Sequence, residues 1–597
     1  MALPPGPAYL LRLLPYFILP SMTVYVFLRL SEGLFSIVLS NCLTIPVIIL
    51  AKPILFFATR HYRKVKDNWD ANANNAILPP HVQESVYSMF VKLGESLRSG
   101  FPSDVMQEWA EEYGNTIQLD MLTTSTIITL DPEHVKIILS TQYSLFEKGP
   151  AFRDIFKSVS GSGIFNTDGE EWKFHRSITR PLFTRENISN LGVYERNCDI
   201  SLKEARKRAA EGYSIDVQDL VSRFALDSTL EFLVGTGVDS VSAGIPYPPY
   251  SAAKNSASFN SHISNAFTNA LMQGLRFTMD RIFWGSDWPL RAEFWKDKAA
   301  PMRRILDEFT MPLVEEALAQ REMHLADKDT ETESQKPTAL ENLLNHTQDP
   351  TVLNDEIINL LAAGRDSTTA VLTFSIYMLA EHPQVEEKLR QEIFERVGQS
   401  GNPTQDQMRG MKYMRAFLNG MYLFLIDVLA AFTRTINFVS RTSKEAITLP
   451  NCNENQKPFY CPSGTQVVYP IICIHHRTDL WGPDALKFDP DRFIDSRLHK
   501  YLTPYPSIFV PFSAGPRICI GQQLAYQVAS FYLVRLLQQF TGFKLDPKAN
   551  VQPPDEWKTC KGRKASEKVH VMAHASIHIK GGLWVTMKEV NQGLESE

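Results

Sequence analysis

The chain of 597 residues is 44% hydrophobic with a formal net charge of −5. It is long enough to bury a large core and carries no positive excess that would draw it to nucleic acid. Its seven cysteines are odd in number, scattered and without a Cys-x-x-Cys pair, which fits a reducing compartment better than a disulfide framework.

Leu13 to Leu28 is an apolar run bracketed by Arg12 and Arg29, and Leu34 to Ala51 is a second run with no charge. The second is long enough to span a bilayer, whereas the first needs snorkelling arginines. By the positive-inside rule the cluster Arg60-His61-Tyr62-Arg63-Lys64-Val65-Lys66 lies on the cytosolic side with everything after it. No small-residue cleavage site precedes it. Residues 1–66 therefore read as a membrane anchor of one span or two, and residues 67–597 as one soluble domain; no internal repeat or long low-complexity linker divides it.

Thr116 to Leu122 and Thr126 to Leu130 alternate as a strand pair before Asp131-Pro132 opens a helix. In Gly169 to Ser177, Trp172 and Arg176 stand four apart, so one helix face offers an indole N–H and a guanidinium to the same carboxylate. His175 is one position off that face, a place for packing or solvent contact. From Asn197 to Leu318 the pattern is mostly helical, broken by a loop at Ala243 to Tyr250, and Arg321 to Pro337 reads as a polar surface loop.

Asn354 to Glu381, closed by His382-Pro383, is apolar on most faces and should run through the interior. In its middle lies Ala363-Gly364-Arg365-Asp366-Ser367-Thr368-Thr369. Ser367 can bond back to the Ala363 carbonyl and loosen the helix, leaving room for a diatomic ligand. Gly464 to Tyr469 is strand-like, and His475 and His476, lacking a third ligand at metal spacing, read as loop histidines.

Phe512-Ser513-Ala514-Gly515-Pro516-Arg517-Ile518-Cys519-Ile520-Gly521 runs directly into the helix-like Gln522 to Ala529. Backbone N–H groups and the positive end of the helix dipole lie beneath such a sulfur, and both favour thiolate. Gly515 and Gly521 let the backbone lie flat against a large planar ligand. Arg517 can reach that ligand's anionic edge, and Phe512 shields the sulfur from water. The spacing is Phe-x-x-Gly-x-Arg-x-Cys-x-Gly, and here the sequence resembles the cytochrome P450 family of haem-thiolate monooxygenases.

The resemblance implies a mainly α fold with small β-sheets (α+β) behind the anchor, haem b (iron protoporphyrin IX) as cofactor, and Cys519 as the iron ligand whose electron push favours O–O cleavage. Trp172 and Arg176 match the family's Trp-x-x-x-Arg helix, which binds a haem propionate, and Arg441 is a further carry-over as a propionate contact. Asp366, Ser367 and Thr368 match an acid–alcohol element that relays protons to bound oxygen. Ser367 stands where threonine is usual, so the hydroxyl is kept but the methyl that restricts its rotamers is not. Phe277, Phe283, Trp284 and Trp288 fall by position in the lid over the substrate pocket, where they would meet lipid or substrate or simply pack. No Gly-x-Gly-x-x-Gly fingerprint is present and the stretch after Cys519 is too short for a flavin domain. Electrons are accordingly expected from a separate NADPH–cytochrome P450 reductase. Phe174-His175-Arg176-Ser177 and Ala363 to Asp366 look most like the fungal branch that hydroxylates alkanes and fatty acids. An endoplasmic reticulum membrane location, with the catalytic domain facing the cytosol, suits O2-dependent chemistry on lipophilic molecules.

The pattern breaks once. After Asn419 the family continues with Glu-x-x-Arg, whereas this chain reads Gly420-Met421-Tyr422-Leu423. Arg492, matching the later arginine of that lock, would then be buried without its carboxylate, at a cost comparable to a domain's net stability. Residues 420–440 therefore read as mis-spliced or retained intron sequence. A genuine chain of this sequence would be a haem-deficient or inactive variant, and a non-oxygenating isomerase or dehydratase is the remaining rival, opposed by the acid–alcohol pair.

Overall fold

The computed structural model describes residues 3–590 other than 36–39, 99, 100, 102, 103, 122, 123, 190, 327–337, 426–439, 453, 454, 561 and 574–576. Most of the stretch read as intron, and most of the polar loop after Arg321, lie outside the described residues.

Two long apolar helices lead the chain, α1 (Pro5–Phe35) and α2 (Asn41–Ala73), and their most apolar windows are almost wholly unburied. Ser40 caps α2 by accepting from the Cys42 N–H. α2 runs without interruption through residues 66 and 67 to Ala73.

The rest of the fold is built around the helix Pro350–Glu381. Asp349 accepts from the Thr351 N–H at 2.8 Å to cap it, and Pro350 pre-sets its first turn. It ends at His382 because the following proline disfavours helical backbone there. Ile357, Leu361, Leu372, Phe374 and Leu379 are all fully buried, so the helix is enclosed on every side, as its apolar pattern predicts. The helix Val217–Val234 crosses it at Gly364, where an added Cβ would come within 2.6 Å of Thr229. A side chain at Gly364 would have to displace that of Thr229. The helix Gln522–Gln539 packs against the far half and adds Phe531, Tyr532 and Leu533 to the same core. Each such side chain contributes about 1.5–3 kcal/mol when withdrawn from water.

The largest sheet has five strands in the order Thr116–Asp120, Ser125–Thr129, Gln466–Val468, Ser440–Ser443, Phe146–Glu147. The first two pair antiparallel with Thr116 opposite Thr129. Asp131 then caps the next helix by accepting from the Glu133 N–H at 2.9 Å, as read from the sequence. Non-local pairing of Glu147 with Thr442 and of Arg441 with Val467 carries two distant segments to one edge. The architecture is mainly helical with small sheets, as expected.

The lid aromatics pack. Phe283 and Trp284 lie 4.4 and 5.0 Å from the Phe90 ring, and Trp288 is buried beneath the Arg281 guanidinium at 4.0 Å.

Candidate haem-binding site

The Cys519 loop is held by a hydrogen bond from the Cys519 N–H to the Phe512 carbonyl at 2.9 Å. Ser513 and Gly515 both take left-handed backbone, with φ of 62° and 66°. A Cβ on Gly515 would lie 1.8 Å from the Leu139 carbonyl oxygen. Glycine is demanded there by a neighbouring segment of the protein, rather than by a flat ligand as the motif implied. At Gly521 an added Cβ would make only ordinary contacts, 3.7 Å to Phe183 and 3.9 Å to the Cys519 sulfur. Phe512 is buried behind the loop, with its ring 4.9 Å from Tyr422 and 5.3 Å from Tyr526.

The accessible face of Cys519 is turned to a cavity with about 270 Å³ of room for water centres. Gly521 precedes the helix Gln522–Gln539 and gives its first turn no side-chain cap. Burial nevertheless pushes the thiol up, against the opposing pull of the Gly521 N–H and the Arg176 charge.

Trp172 and Arg176 do share a face of the helix Gly169–Thr179 and both line the cavity. Arg176 donates to the Ile518 carbonyl at 2.7 Å. Arg441 lines it from the strand Ser440–Ser443, with one nitrogen donating to the Ser440 carbonyl at 2.7 Å and the buried Nε unpartnered. Arg517 sits 4.5 Å from the Trp172 ring, donates to the Thr167 carbonyl, and pairs with Asp168 at 2.7 Å. It meets an internal carboxylate, then, as well as facing the cavity. Sequence reasoning missed Lys148. Its Nζ donates to the Phe165 carbonyl at 2.5 Å, and burial, reinforced by Arg517 and Arg441, pushes its pKa well down.

Lys148, Arg176, Arg441 and Arg517 thus surround one cavity, and among the described residues Asp168 is the one carboxylate ion-paired with them. Cations gathered with so little compensation are expensive unless an anion joins them. A soft sulfur ligand, a cationic rim and an orphaned guanidinium N–H fit haem, a planar metal complex carrying two carboxylates.

Ser367 and Thr368 line the cavity, with the Ser367 hydroxyl donating to the Ala363 carbonyl at 2.7 Å as the sequence reading anticipated. Asp366 does not join them. It is buried outside the cavity wall, paired with Arg365, which also donates to Ser222 at 2.6 Å. One Asp366 oxygen has no partner, and burial pushes the carboxyl up. Phe183, Phe232, Leu233 and Leu360 supply the apolar remainder of the wall.

One further wall is fixed by the first half of the central helix. Asp355 accepts from the Ser162 N–H at 2.7 Å, Glu356 from the Ile164 N–H at 3.0 Å, and Asn359 donates to the Ser160 carbonyl at 2.8 Å. His175 is buried against Glu356 rather than facing solvent. Together these bonds hold the loop that presents Ile164 and Phe165 to the cavity.

Where Glu-x-x-Arg is missing, Gly420 lies in the helix Lys412–Leu425 against Phe488 and Pro490. Arg492 is buried as expected but is not stranded. It donates to the Asp484 and Lys487 carbonyls at 2.7 and 3.2 Å and lies 3.4 Å from the Asp484 carboxylate, with only Nε unpartnered. His475 is not a loop residue either: it ends the short helix Ile471–His476 with His476 and is fully buried, stacked on Phe509.

The sequence profile described as Cytochrome P450 matches residues 80–569. Cytochrome P450 monooxygenase pvhE of Talaromyces variabilis is 32% identical over 446 residues, covering 71% of this chain and 76% of that protein. Cytochrome P450 52A1 of Candida tropicalis is 32% identical over 446 residues, with 73% and 76% covered. Cytochrome P450 52A13 of Debaryomyces hansenii is 29% identical over 512 residues, with 84% and 92% covered. The site geometry and these similarities agree, and the chain belongs to the cytochrome P450 family of haem monooxygenases.

Proposed function

We propose that this monooxygenase binds haem b and hydroxylates a lipophilic molecule, a fatty acid, an alkane or a xenobiotic. One oxygen atom of O2 enters a C–H bond and the other leaves as water, with electrons from NADPH delivered by a separate cytochrome P450 reductase. Residues 1–66 would anchor it in the endoplasmic reticulum membrane, with residues 67–597 in the cytosol. The observation that carries the reading is that the Cys519 sulfur and the Ser367 hydroxyl line the same cavity, whose remaining walls are largely apolar. The similarity to Cytochrome P450 52A1 and the two apolar helices support the lipophilic substrate and the membrane.

Haem supplies O2 activation when bound. Cys519 would hold its iron, and Lys148, Arg176, Arg441 and Arg517 would neutralise its two carboxylates, with Trp172 beside them. Gly521 would contribute its N–H to the sulfur, Gly515 the turn of the loop, and Phe512 the exclusion of water behind it. Ser367 would bring its hydroxyl oxygen to the cavity face, its proton lent to the Ala363 carbonyl until a bound group competes for it, and Thr368 lines the wall next to it. Asp366 would serve as a proton reservoir behind Ser367, reached when its pair with Arg365 opens.

A reduced carbon monoxide difference spectrum tests the site: a strongly red-shifted Soret band is expected, and its survival in Cys519→Ala would overturn the proposal. Turnover of graded fatty acids and alkanes with NADPH, O2 and reductase tests the reaction. Product formed without O2 or NADPH would favour an isomerase or dehydratase. A haem-poor protein is the second reading, favoured by unpartnered buried nitrogens on Arg492 and Trp481 beside the Gly420 helix. Haem content per polypeptide measures it directly.

A further inference from the structure

We propose that α1 and α2 form a two-span hairpin that crosses the bilayer and returns, so that the start of α1 lies on the same side of the membrane as the catalytic domain. The inference rests on the membrane location proposed above and decides what that location leaves open, namely where the first helix begins.

Both outer ends of the hairpin are fixed to the catalytic domain. At the start of α1 the Gly6 N–H donates to the Phe294 carbonyl at 2.9 Å, and the Tyr9 hydroxyl donates to Asp287 at 2.9 Å. Gly6 is so close to the Phe294 ring that an added Cβ would lie 2.3 Å from it. At the end of α2, Ala71 and Ala76 pack with Tyr460. The Ile77 N–H there donates to the Pro458 carbonyl at 2.9 Å and its carbonyl accepts from the Tyr460 N–H at 2.7 Å. Between these points the helices run antiparallel. Ser21 donates to the Ile48 carbonyl at 2.9 Å, and Lys52 lies 5.9 and 5.7 Å from the rings of Tyr16 and Phe17.

That register sets the apolar run Leu13 to Leu28 beside the first half of α2. Such a run rises about 24 Å at 1.5 Å per residue, short of the ~30 Å hydrocarbon core by an amount that Arg12 and Arg29 recover by snorkelling. Charge is distributed to match. Arg12, Arg60, Arg63, Lys64 and Lys66 lie toward the catalytic domain, whereas the turn has Arg29, paired with Glu32 at 2.9 Å. Lys52, the one cation within the apolar half of α2, points its charge at aromatic faces. The positive-inside rule then places the turn across the membrane and both outer ends in the cytosol. Trp295, exposed beside Phe294, is the kind of side chain that settles at the bilayer surface there. A single span with the start of α1 on the far side would separate Gly6 and Tyr9 from their partners by the full membrane thickness.

The test uses the chain in sealed microsomes. Alkaline carbonate extraction comes first, since release of the protein would defeat the membrane reading itself, and retention confines the later results to the hairpin. An Asn-x-Thr acceptor on a flexible spacer ahead of Pro5 should stay unglycosylated, and the same insert in the link between α1 and α2 should be glycosylated. In Gly6→Cys with Phe294→Cys, the backbone-bonded pair is within disulfide reach, and oxidation of intact vesicles should join the two positions in peptide mapping. A glycosylated leading insert or an unglycosylated link insert overturns the hairpin. Failure to cross-link in a preparation that retains its haem spectrum does the same.

Discussion

Replacing Asp168 with asparagine should weaken the haem-free protein far more than the haem-loaded one. Asp168 accepts from the Lys148 N–H at 3.0 Å, from Arg517 at 2.7 Å and from the Gly149 N–H at 2.9 Å. Both members of its ion pair are under a tenth exposed. Removing one partner of a buried pair strands the other charge, at about 3–5 kcal/mol. Asparagine keeps one oxygen for a backbone donor, so a loss of about 3 kcal/mol is expected when no other anion is present. With haem seated, its two carboxylates compensate Arg517, Arg441 and Lys148, and the loss should fall to about 1 kcal/mol. Denaturant unfolding followed by tryptophan fluorescence, with and without haem, measures both. Equal losses in the two states would mean that the cationic rim does not hold the carboxylates, and the assignment of Arg441 and Arg517 as haem contacts would go with it.

Ser367→Ala should raise peroxide release per NADPH consumed, with Ser367→Thr restoring coupling; unchanged coupling in the alanine variant rules out a proton-holding role. Burial, reinforced by His476, holds His475 at about 3, well below its ordinary 6.5. The unfolded chain takes a proton near 6.5 that the folded one refuses, so stability is fully present above that pH and falls by about 1.4 kcal/mol per unit below it, toward the folded value. His475→Phe should flatten that acid limb in unfolding measured between about pH 6.5 and 4, and an unaltered slope would count against the assignment. Gly420→Ala meets Phe488 and Pro490 at ordinary contact distances, 3.5 and 3.6 Å, and should gain about 1 kcal/mol as a helix-interior replacement. Gly420→Glu should retain haem to a higher temperature still; a rank below alanine would show that Arg492 is satisfied by the carbonyls it already holds.

The features legible in the sequence are those whose geometry is local. Trp172 and Arg176 share a face because they are one turn apart, and Ser367 reaches Ala363 for the same reason. Cys519 lies in a short loop whose spacing to the next helix is fixed. Lys148 escaped notice because nothing beside it in sequence explains it: strand pairing of Glu147 with Thr442 brings it to Arg441 across almost three hundred residues. Asp366 adjoins Ser367 in sequence but not at the cavity, because adjacent helix positions point roughly 100° apart and Arg365 claims the carboxylate on the other side. At Gly515 the atom that forbids a side chain belongs to Leu139, a neighbour that no motif spacing reveals. The requirement for glycine shows in a motif, whereas the identity of the neighbour does not.

The bonds from Asp355, Glu356 and Asn359 to the Ser160–Ile164 backbone make one jamb of the cavity rigid. Ile164 and Phe165 cannot swing aside without prising that segment off a helix enclosed on every side. An incoming chain is obliged to conform to this border, and it meets Phe183, Phe232 and Leu233 elsewhere on the wall, side chains held by apolar packing.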